Sequence, residues 1–288
     1  MLFSEMLDRG QDDAMAIVDS RGSVTYGEFR AAVAGFAAHL RDMGLSKGDR
    51  VALWGYNSAN WLVAFFAIVR AGGVALRVNY SSGIGDAAEL LRRADARFLV
   101  CGDNGQTKRR DDAMEALADA AGIERCRCVD ARGEACDLAR AYATAEGLPE
   151  QRRPDEEADT ALIIFTSGTT SAPKAVCTSQ RALAADAHAL MAGLEGTMGG
   201  SVCVAVPLFH ILGLLTSYVY LILGSTVCLP ASYRADVLVS MVGENRASDM
   251  AAVGPSTRAL RVPTGSRIRS RRTCAPASSP AACPRRCR

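Results

Sequence analysis

The amino terminus of this 288-residue chain lacks the features of a secretory signal. The first residues include Glu5 and Asp8, and no basic start leads into an apolar run. A secretory signal combines both of those features. We therefore expect a cytoplasmic protein.

The ten cysteines lack the spacings of a disulfide framework or of a zinc site. Cys126 and Cys128 are separated by one residue rather than two, and no histidine lies near them in the sequence. Zinc sites in proteins use Cys-x-x-Cys pairs or combinations of cysteine with histidine. We expect buried or incidental thiols in a reducing compartment.

Charged side chains are missing from residues 197–231. A transmembrane helix needs about 20 consecutive apolar residues, so a membrane span is one interpretation of this segment. However, Pro207, Gly213 and Gly224 interrupt the segment, and its longest unbroken apolar piece is only Tyr218 to Leu223. The pattern favours a strand, a buried helix and a second strand, with no transmembrane span.

Acidic residues are absent from the end of the chain, where nine arginines lie between Thr257 and Arg288. The preceding 256 residues hold 24 basic and 31 acidic side chains, so this larger part is mildly acidic although the whole chain has a formal net charge of +2. Surfaces that bind nucleic acids are basic. We therefore expect no nucleic-acid partner.

Apolar residues follow helical and strand periods in turn along the chain. Phe29, Val33, Phe36 and Leu40 recur at helical spacing, and Gly44 ends that helix. The other predicted elements are strands at 51–54, 74–78, 97–101, 126–130, 161–165, 202–206 and 226–229, and helices at 61–69 (capped by Asn57 and Ser58), 86–93, 111–120 and 182–194. Strands that alternate with helices predict an α/β fold, with parallel or mixed sheets covered by helices on both faces. His188, within the last helix, is expected to be a surface or packed residue.

The segment from Ile163 to Lys174 joins an apolar strand to a loop rich in hydroxyl groups. Gly168 permits backbone conformations that let several N–H groups face one anion. The loop hydroxyls add further donors, and Lys174 adds a mobile positive charge. A polar surface turn is the simpler explanation for most Gly/Ser/Thr clusters. The complete strand and loop favour a polyphosphate site, although the spacing does not match the Walker P-loop, because Pro173 stands where that motif has its second glycine.

This segment resembles the phosphate loop of the adenylate-forming synthetases, a family that includes the AMP-forming acyl-CoA synthetases. Their loop reads Tyr-Thr-Ser-Gly-Thr-Thr-Gly-x-Pro-Lys-Gly. The chain departs from it at Phe165, Ser171 and Ala175. Counterparts of the family's Thr-Tyr-x-Glu-Leu, Gly-Asp-Arg-Val, Asn-Ser and Ala-Gly-Gly-Val segments also occur between residues 25 and 74.

The resemblance implies a two-step reaction. A small-molecule carboxylate attacks the α-phosphate of Mg²⁺-bound ATP, giving an acyl-adenylate and pyrophosphate; a thiol, usually coenzyme A, then displaces AMP. By this resemblance, ATP is bound through the β- and γ-phosphates by Ser167, Gly168, Thr169, Thr170 and Lys174, and Thr166 helps to hold Mg²⁺. The implied activity is that of a carboxylate or fatty acyl-CoA ligase.

A second motif, Pro207-Leu208-Phe209-His210-x-x-Gly213, also matches the family. The resemblance places this histidine near the acyl and nucleotide pockets, so His210 is a candidate for lining the substrate site. The alternative is that His210 caps the helix that follows it. The apolar surroundings favour an acyl or aryl substrate over an amino acid.

The resemblance covers residues 20–260, which predicts an amino-terminal AMP-binding domain spanning residues 1–260. Within it, about residues 1–155 form a first α/β part and about 156–260 form the part that carries the phosphate loop. The family's later Tyr-Gly-x-Thr-Glu and Thr-Gly-Asp segments, and the domain that brings a catalytic lysine, have no counterpart in the sequence. The expected fold is therefore incomplete. A catalytically inactive fragment that binds nucleotide or a partner is the alternative to a working ligase.

Residues 261–288 hold eight arginines, four prolines and three cysteines, but no Asp, Glu or Lys. A basic interaction tail is one interpretation. We favour a shifted reading frame and a disordered tail: in G/C-rich codons, the alternative frame from Ile268 can encode DLRTGLVAGG, which resembles the family's next segment. Sequencing the gene around codons 260–268 tests this hypothesis, and an intact frame at those codons contradicts it.

Overall fold

The computed structural model describes residues 8–101, 115–126, 159–166, 174–193 and 200–253. Its strands are β1 (Met15–Asp19), β2 (Gly22–Thr25), β3 (Arg50–Trp54), β4 (Val74–Val78), β5 (Ala96–Cys101), β6 (Glu124–Cys126), β7 (Thr160–Thr166), β8 (Lys174–Ser179), β9 (Ser201–Ala205), β10 (Thr226–Cys228) and β11 (Asp249–Ala252). Its helices are α1 (Tyr26–Asp42), α2 (Ala59–Arg70), α3 (Ile84–Arg93), α4 (115–121), α5 (Gln180–Gly193), α6 (Ile211–Ile222) and α7 (Ala235–Glu244).

The described strands form two mixed sheets. The five-stranded sheet has the order β11-β9-β10-β1-β2, and the six-stranded sheet has the order β6-β5-β3-β4-β7-β8. All neighbours are parallel except β1 with β2 and β7 with β8, which are antiparallel. Parallel strands joined by helices are typically covered on both faces.

Helices α1, α2, α5 and α6 lie between the two sheets and form a central layer. One continuous apolar core joins these helices to the inner faces of both sheets, through residues such as Leu53 of β3 and Val204 of β9. Helix α2 is the most enclosed, since every residue from Ala59 to Val69 is buried. A helix that is apolar all round is stable only inside such a core.

The outer faces of both sheets carry their own helices. In the six-stranded sheet, Ala52 and Leu76 face outward and belong to a cluster that includes Leu91 of α3 and Leu117 of α4. In the five-stranded sheet, Cys203 clusters with Leu238 of α7. The order of layers is therefore helix, sheet, helix, sheet, helix. This confirms the predicted α/β class, with mixed sheets and helices on both faces.

Local sequence signals explain how the first two helices begin. The Thr25 hydroxyl accepts a hydrogen bond from the Glu28 backbone N–H, and the Glu28 carboxylate accepts one from the Thr25 N–H, which is a capping box. Ser58 is the N-cap of helix α2, and its side chain accepts a hydrogen bond from the Trp61 N–H. Asp19 of β1 accepts from the Ala59 N–H at 2.9 Å and so fixes α2 against the five-stranded sheet.

The structure corrects several predicted boundaries and adds elements that the periodicity did not indicate. Helix α2 begins two residues earlier than predicted, α5 begins at Gln180, and β6 ends at Cys126 rather than beginning there. The β1–β2 hairpin, β8 and α7 were not predicted. Residues 127–130 of the strand predicted at 126–130, and the tail 261–288, lie outside the described residues. No helix in the described part of the chain is long and apolar enough to cross a membrane.

Candidate functional site

The predicted phosphate loop connects two antiparallel strands. Strand β7 ends at Thr166 and β8 begins at Lys174, and these two residues are direct partners in the ladder. The loop therefore leaves and re-enters the sheet at one point on the edge where β7 ends. Lys174 is exposed. Ser167, Gly168, Thr169 and Thr170 lie outside the described residues, and of Thr166 only the backbone is described.

The two ends of this loop lie one strand away from the point where the strand order predicts a binding crevice. Strand β3 lies between β5 and β4, and β4 lies between β3 and β7. The chain passes from β3 to β4 on one side and then returns to β5 on the other side, so its direction across the sheet reverses between β3 and β4. The helices that follow these two strands lie on opposite faces of the sheet: α2 in the central layer and α3 outside it. Ligands of open α/β sheets bind in the crevice outside the carboxyl ends of strands at such a reversal.

Asn57, just after β3, joins this crevice to the segment that carries His210. The Asn57 amide nitrogen donates to the Val206 carbonyl at 2.8 Å, and its oxygen accepts from the Leu208 N–H at 2.7 Å. The side chain thus satisfies one donor and one acceptor of the loop that follows β9. We predicted Asn57 to cap α2, which is wrong because its amide is committed to this loop and Ser58 provides the cap.

His210 occupies the N-cap position of α6, but its side chain makes no capping hydrogen bond. The imidazole is exposed and lies against Phe209, with 4.4 Å between the ring centroids. Partial desolvation, together with the positive charge of Arg77, lowers the pKa of His210 below its ordinary value. A neutral imidazole at the mouth of the crevice is therefore favoured at neutral pH.

The first turn of α6 packs closely on the segment before His210. A Cβ atom placed on Gly213 would lie 2.5 Å from the Pro207 carbonyl oxygen and 3.1 Å from that of Val206. The separation is far below van der Waals contact, so only glycine fits there. The close packing of Gly213 on the Pro207 carbonyl explains why the motif has a glycine three residues after His210. It also fixes the amino terminus of α6 at the crevice.

Four aromatic side chains line the carboxyl edges of both sheets, and we call them the aromatic wall: Tyr56, Tyr80, Phe209 and Tyr233. Tyr56 contacts Tyr80 with ring centroids 4.1 Å apart, and Tyr80 meets Phe209 edge-to-face at 5.3 Å. Tyr233 interacts with Tyr80, and burial raises the pKa of both phenols. The aromatic wall gives the crevice an apolar side with hydroxyl groups, which suits an organic acid.

Arg77 lies beneath the same loop, near the carboxyl end of β4. Its side chain is buried, and Nη1 lies 3.4 Å from the Leu208 carbonyl oxygen. Nε and Nη2 have no hydrogen-bond partner among the described residues. Burial lowers the pKa of Arg77 to about 9, which still leaves the group positively charged at neutral pH.

The remaining predicted residues behave as surface or core groups. His188 is exposed, and its Nδ1 lies 2.7 Å from the Ala184 carbonyl one turn earlier, which confirms its place on the helix surface. Cys203 and Cys228 are buried free thiols, whereas Cys177 is exposed. Burial raises the pKa of Cys203 to about 12 and that of Cys228 to about 11, so neither is a nucleophile at neutral pH.

A cavity of about 280 Å³ lies elsewhere, at the amino ends of β3, β4 and β7. Lys47 and Asp159 on its wall form an ion pair at 2.8 Å. The charges of this pair neutralise one another, and the cavity is at the edge opposite the crevice. It therefore adds nothing to the site described above.

The sequence analysis singled out Lys174 and His210 as candidate site residues, but not Asn57, Arg77 or most of the aromatic wall. The structure places Lys174 at the edge where β7 ends, and places His210 over the crevice between β3 and β4. The signal for Arg77 was present, since it is the one charged residue in the otherwise apolar strand β4. A buried charge that has no ion-pair partner among the described residues needs a reason.

Comparison with known proteins identifies the class to which this chain and its fold belong. The family model described as AMP-binding enzyme matches residues 5–281, so the match runs beyond residue 260. The chain therefore belongs to the AMP-binding enzyme family. It is 30% identical over 240 residues to the medium/long-chain-fatty-acid–CoA ligase FadD6 of Mycobacterium tuberculosis, covering 82% of this chain and 39% of the ligase. Protein Y of Streptomyces griseus is 27% identical over 264 residues, covering 88% of this chain and 84% of that protein.

Solved structures agree with this assignment. The ATP-bound structure of MatB from Rhodopseudomonas palustris matches 91% of this chain and 52% of MatB, with 28% identity and a TM-score of 0.75. The N-terminal domain of FACL13 from Mycobacterium tuberculosis matches 91% of this chain and 65% of that domain, with a TM-score of 0.78 at 22% identity, which shows the fold. The chain thus spans about half the length of MatB and two-fifths of FadD6. Its fold is that of the N-terminal domain of FACL13.

Proposed function

We propose that this chain takes part in AMP-forming ligation of a small-molecule carboxylic acid to a thiol, with ATP as the energy source and coenzyme A as the thiol. The observation that carries the proposal is the β7–β8 hairpin, which holds the two ends of the predicted phosphate loop together beside the crevice between β3 and β4. The FadD6 and MatB similarities support both the ligase class and the use of ATP.

In this proposal the loop from Thr166 to Lys174 binds the polyphosphate. Backbone N–H groups around Gly168 and the hydroxyls of Ser167, Thr169 and Thr170 donate to the β- and γ-phosphates, and Lys174 adds a positive charge. Negative charge builds on pyrophosphate as it leaves, so donors held in place there lower the barrier. The exposed position of Lys174, next to the end of β7, supports this role.

Mg²⁺ fits the donor chemistry of the same loop. Magnesium prefers hard oxygen ligands and is commonly held by one or two protein oxygens together with phosphate oxygens. Thr166, which ends β7, supplies a hydroxyl of this kind. The bound ion contributes Lewis-acid stabilisation of the phosphates. Within the described residues, no group of three or more His, Cys, Asp or Glu side chains offers a different metal site.

The acid occupies the crevice under the aromatic wall, with His210 at its mouth. The exposed, predominantly neutral imidazole can donate or accept a hydrogen bond at the substrate without carrying a proton through the reaction. Asn57 holds this segment from below, so it acts as a positioning residue. The apolar wall suits an acyl or aryl group.

Carboxylate-dependent exchange of radiolabelled pyrophosphate into ATP tests this function. We expect exchange that depends on an added carboxylic acid and on Mg²⁺, and that falls at least tenfold in Lys174→Ala. Lys47→Ala is the matched control, because Lys47 lies at the opposite edge and is paired with Asp159. ATP binding without exchange in a folded sample favours the alternative, a nucleotide-binding fragment without turnover.

A further inference from the structure

Arg77 presents an unused pair of hydrogen-bond donors inside the protein. The residue is 6% exposed, and the atoms Nε and Nη2 have no partner in the part of the chain that the structure describes. These two nitrogens form one edge of the guanidinium, and that edge matches the two oxygens of a carboxylate. The third nitrogen, Nη1, points at the Leu208 carbonyl at the long distance of 3.4 Å.

A buried cation without a counter-ion is costly for a protein to keep. Removing a charged group from water costs several kcal/mol unless an opposite charge and hydrogen bonds compensate. Burial lowers the pKa of Arg77, yet only to about 9, so the positive charge persists at neutral pH. Strongly perturbed groups that lie in a cleft are candidates for a role in binding.

The surroundings of Arg77 add to its positive potential. Helix α6 begins at Ile211, three residues after Leu208, and its N-cap residue His210 makes no side-chain capping bond. The free N–H groups of a helix amino terminus carry a partial positive charge. The sequence has no acidic residue between positions 197 and 231, the segment that contains this helix and the loop before it. The crevice therefore favours a negatively charged group.

The position of Arg77 along its strand shows which end of a substrate reaches it. Strands β4 and β7 pair with Leu76 level with Ile163, so Arg77 is level with Ile164. Thr166, where the phosphate loop begins, is two residues further along β7, or roughly 7 Å at about 3.3 Å per residue. Arg77 thus lies deeper than the loop, on the central-layer side of the sheet where its strand neighbour Leu53 belongs to the core.

We propose that Arg77 is a specificity-determining residue that binds the distal carboxylate of a dicarboxylic acid through its Nε and Nη2 edge. This inference rests on the proposed ligase function, in which the other carboxylate reacts at the phosphate loop. Because both nitrogens are shielded from solvent, a carboxylate bound to them would be enclosed by protein. A monocarboxylic acid of the same length leaves this edge unsatisfied and binds less tightly.

Calorimetric titration of the 288-residue chain with glutarate and with pentanoate tests the proposal, since the two acids have the same chain length and differ in one carboxylate. We expect glutarate to bind at least tenfold more tightly, and Arg77→Leu to abolish the difference. Arg77→Lys, which keeps the charge without the two-donor edge, gives an intermediate preference. Arg92→Leu is the matched control, since Arg92 is exposed on α3 and pairs only with Glu89 among the contacts described for it.

The outcomes separate this proposal from the proposed function. No glutarate binding, equal affinity for the two acids, or an undiminished preference in a folded Arg77→Leu variant overturns the Arg77 assignment. If ATP binds in a Lys174-dependent way while glutarate shows no preference, the ligase function stands and the dicarboxylate inference fails. If glutarate is preferred in an Arg77-dependent way but ATP does not bind, the Arg77 assignment stands and the ligase function fails.

Discussion

At the scale of single residues, Asn57 connects the end of β3 to the loop that follows β9. Asn57→Ala removes the partner of the Val206 carbonyl and of the Leu208 N–H. Each buried group left without a partner costs about 1–3 kcal/mol. We expect the free energy of unfolding, measured by urea denaturation, to fall by about 2–4 kcal/mol.

Asn57→Asp is a second variant for comparison with Asn57→Ala. Its carboxylate still accepts from the Leu208 N–H but turns an acceptor oxygen toward the Val206 carbonyl, so this variant is also expected to be less stable than wild type. A loss below about 0.5 kcal/mol in Asn57→Ala, which is typical of surface substitutions, contradicts this role.

The cysteines differ sharply in their expected reactivity. Cys177 is exposed on β8, whereas Cys203 and Cys228 are buried and the pKa of each thiol is raised, to about 12 and about 11. Only the thiolate reacts with alkylating agents. Pulse alkylation at pH 8 followed by peptide mass spectrometry should modify Cys177 at least a hundredfold faster than Cys203. Comparable rates in a folded sample contradict the burial of Cys203.

Residue types and spacing indicated part of the candidate site but not all of it. Lys174 and His210 were identifiable because each belongs to an ordered motif of several residues. The roles of Asn57 and Arg77 depend on the loop after β9, more than 120 residues away in sequence. No local pattern encodes such a contact, so Asn57 resembled an ordinary helix cap.

At the scale of elements, the packing of α6 against the loop before it depends on Gly213. An added Cβ meets the Pro207 carbonyl oxygen at 2.5 Å, so Gly213→Ala must displace the helix or the loop. Overpacking of this kind costs about 1–3 kcal/mol. We expect a lower free energy of unfolding and, because His210 moves, weaker binding of the carboxylic acid.

Gly243→Ala provides a control in another helix. Gly243 lies in α7, and a Cβ there meets nothing within 4 Å among the described residues. Since alanine is favoured over glycine within helices by about 1 kcal/mol, this variant should be neutral or more stable. A Gly213→Ala variant as stable as Gly243→Ala shows that the close approach is not needed.

Elements with strong periodicity or strong start signals were predictable, whereas short edge elements were not. Strand β4 and helix α1 follow their predicted patterns because apolar residues, Thr25 and Gly44 define them locally. Strand β8 exists because Lys174–Ser179 pairs with β7, and its first four residues are exposed, so it has no apolar signature. Tertiary pairing, rather than local sequence, produces that strand.

At the scale of the whole molecule, the central helical layer holds the two sheets together. Phe66 of α2 is fully buried and contacts Phe29 of α1 and Tyr218 of α6, with ring centroids 5.9 and 5.8 Å apart. Phe66→Ala should reduce the free energy of unfolding by about 3–5 kcal/mol, as large cavities in cores do. Val239→Ala, at an exposed site on α7, should change it by less than about 0.5 kcal/mol.

The central claim is that the loop from Thr166 to Lys174 binds the phosphates of ATP, and a thermal unfolding experiment tests it most directly. With Mg²⁺ and saturating ATP, the Tm of the wild-type chain should rise, because a ligand that binds only the folded state stabilises it. The rise should persist in Lys47→Ala and be largely lost in Lys174→Ala. No rise in the wild type, or the same rise in Lys174→Ala, contradicts the account.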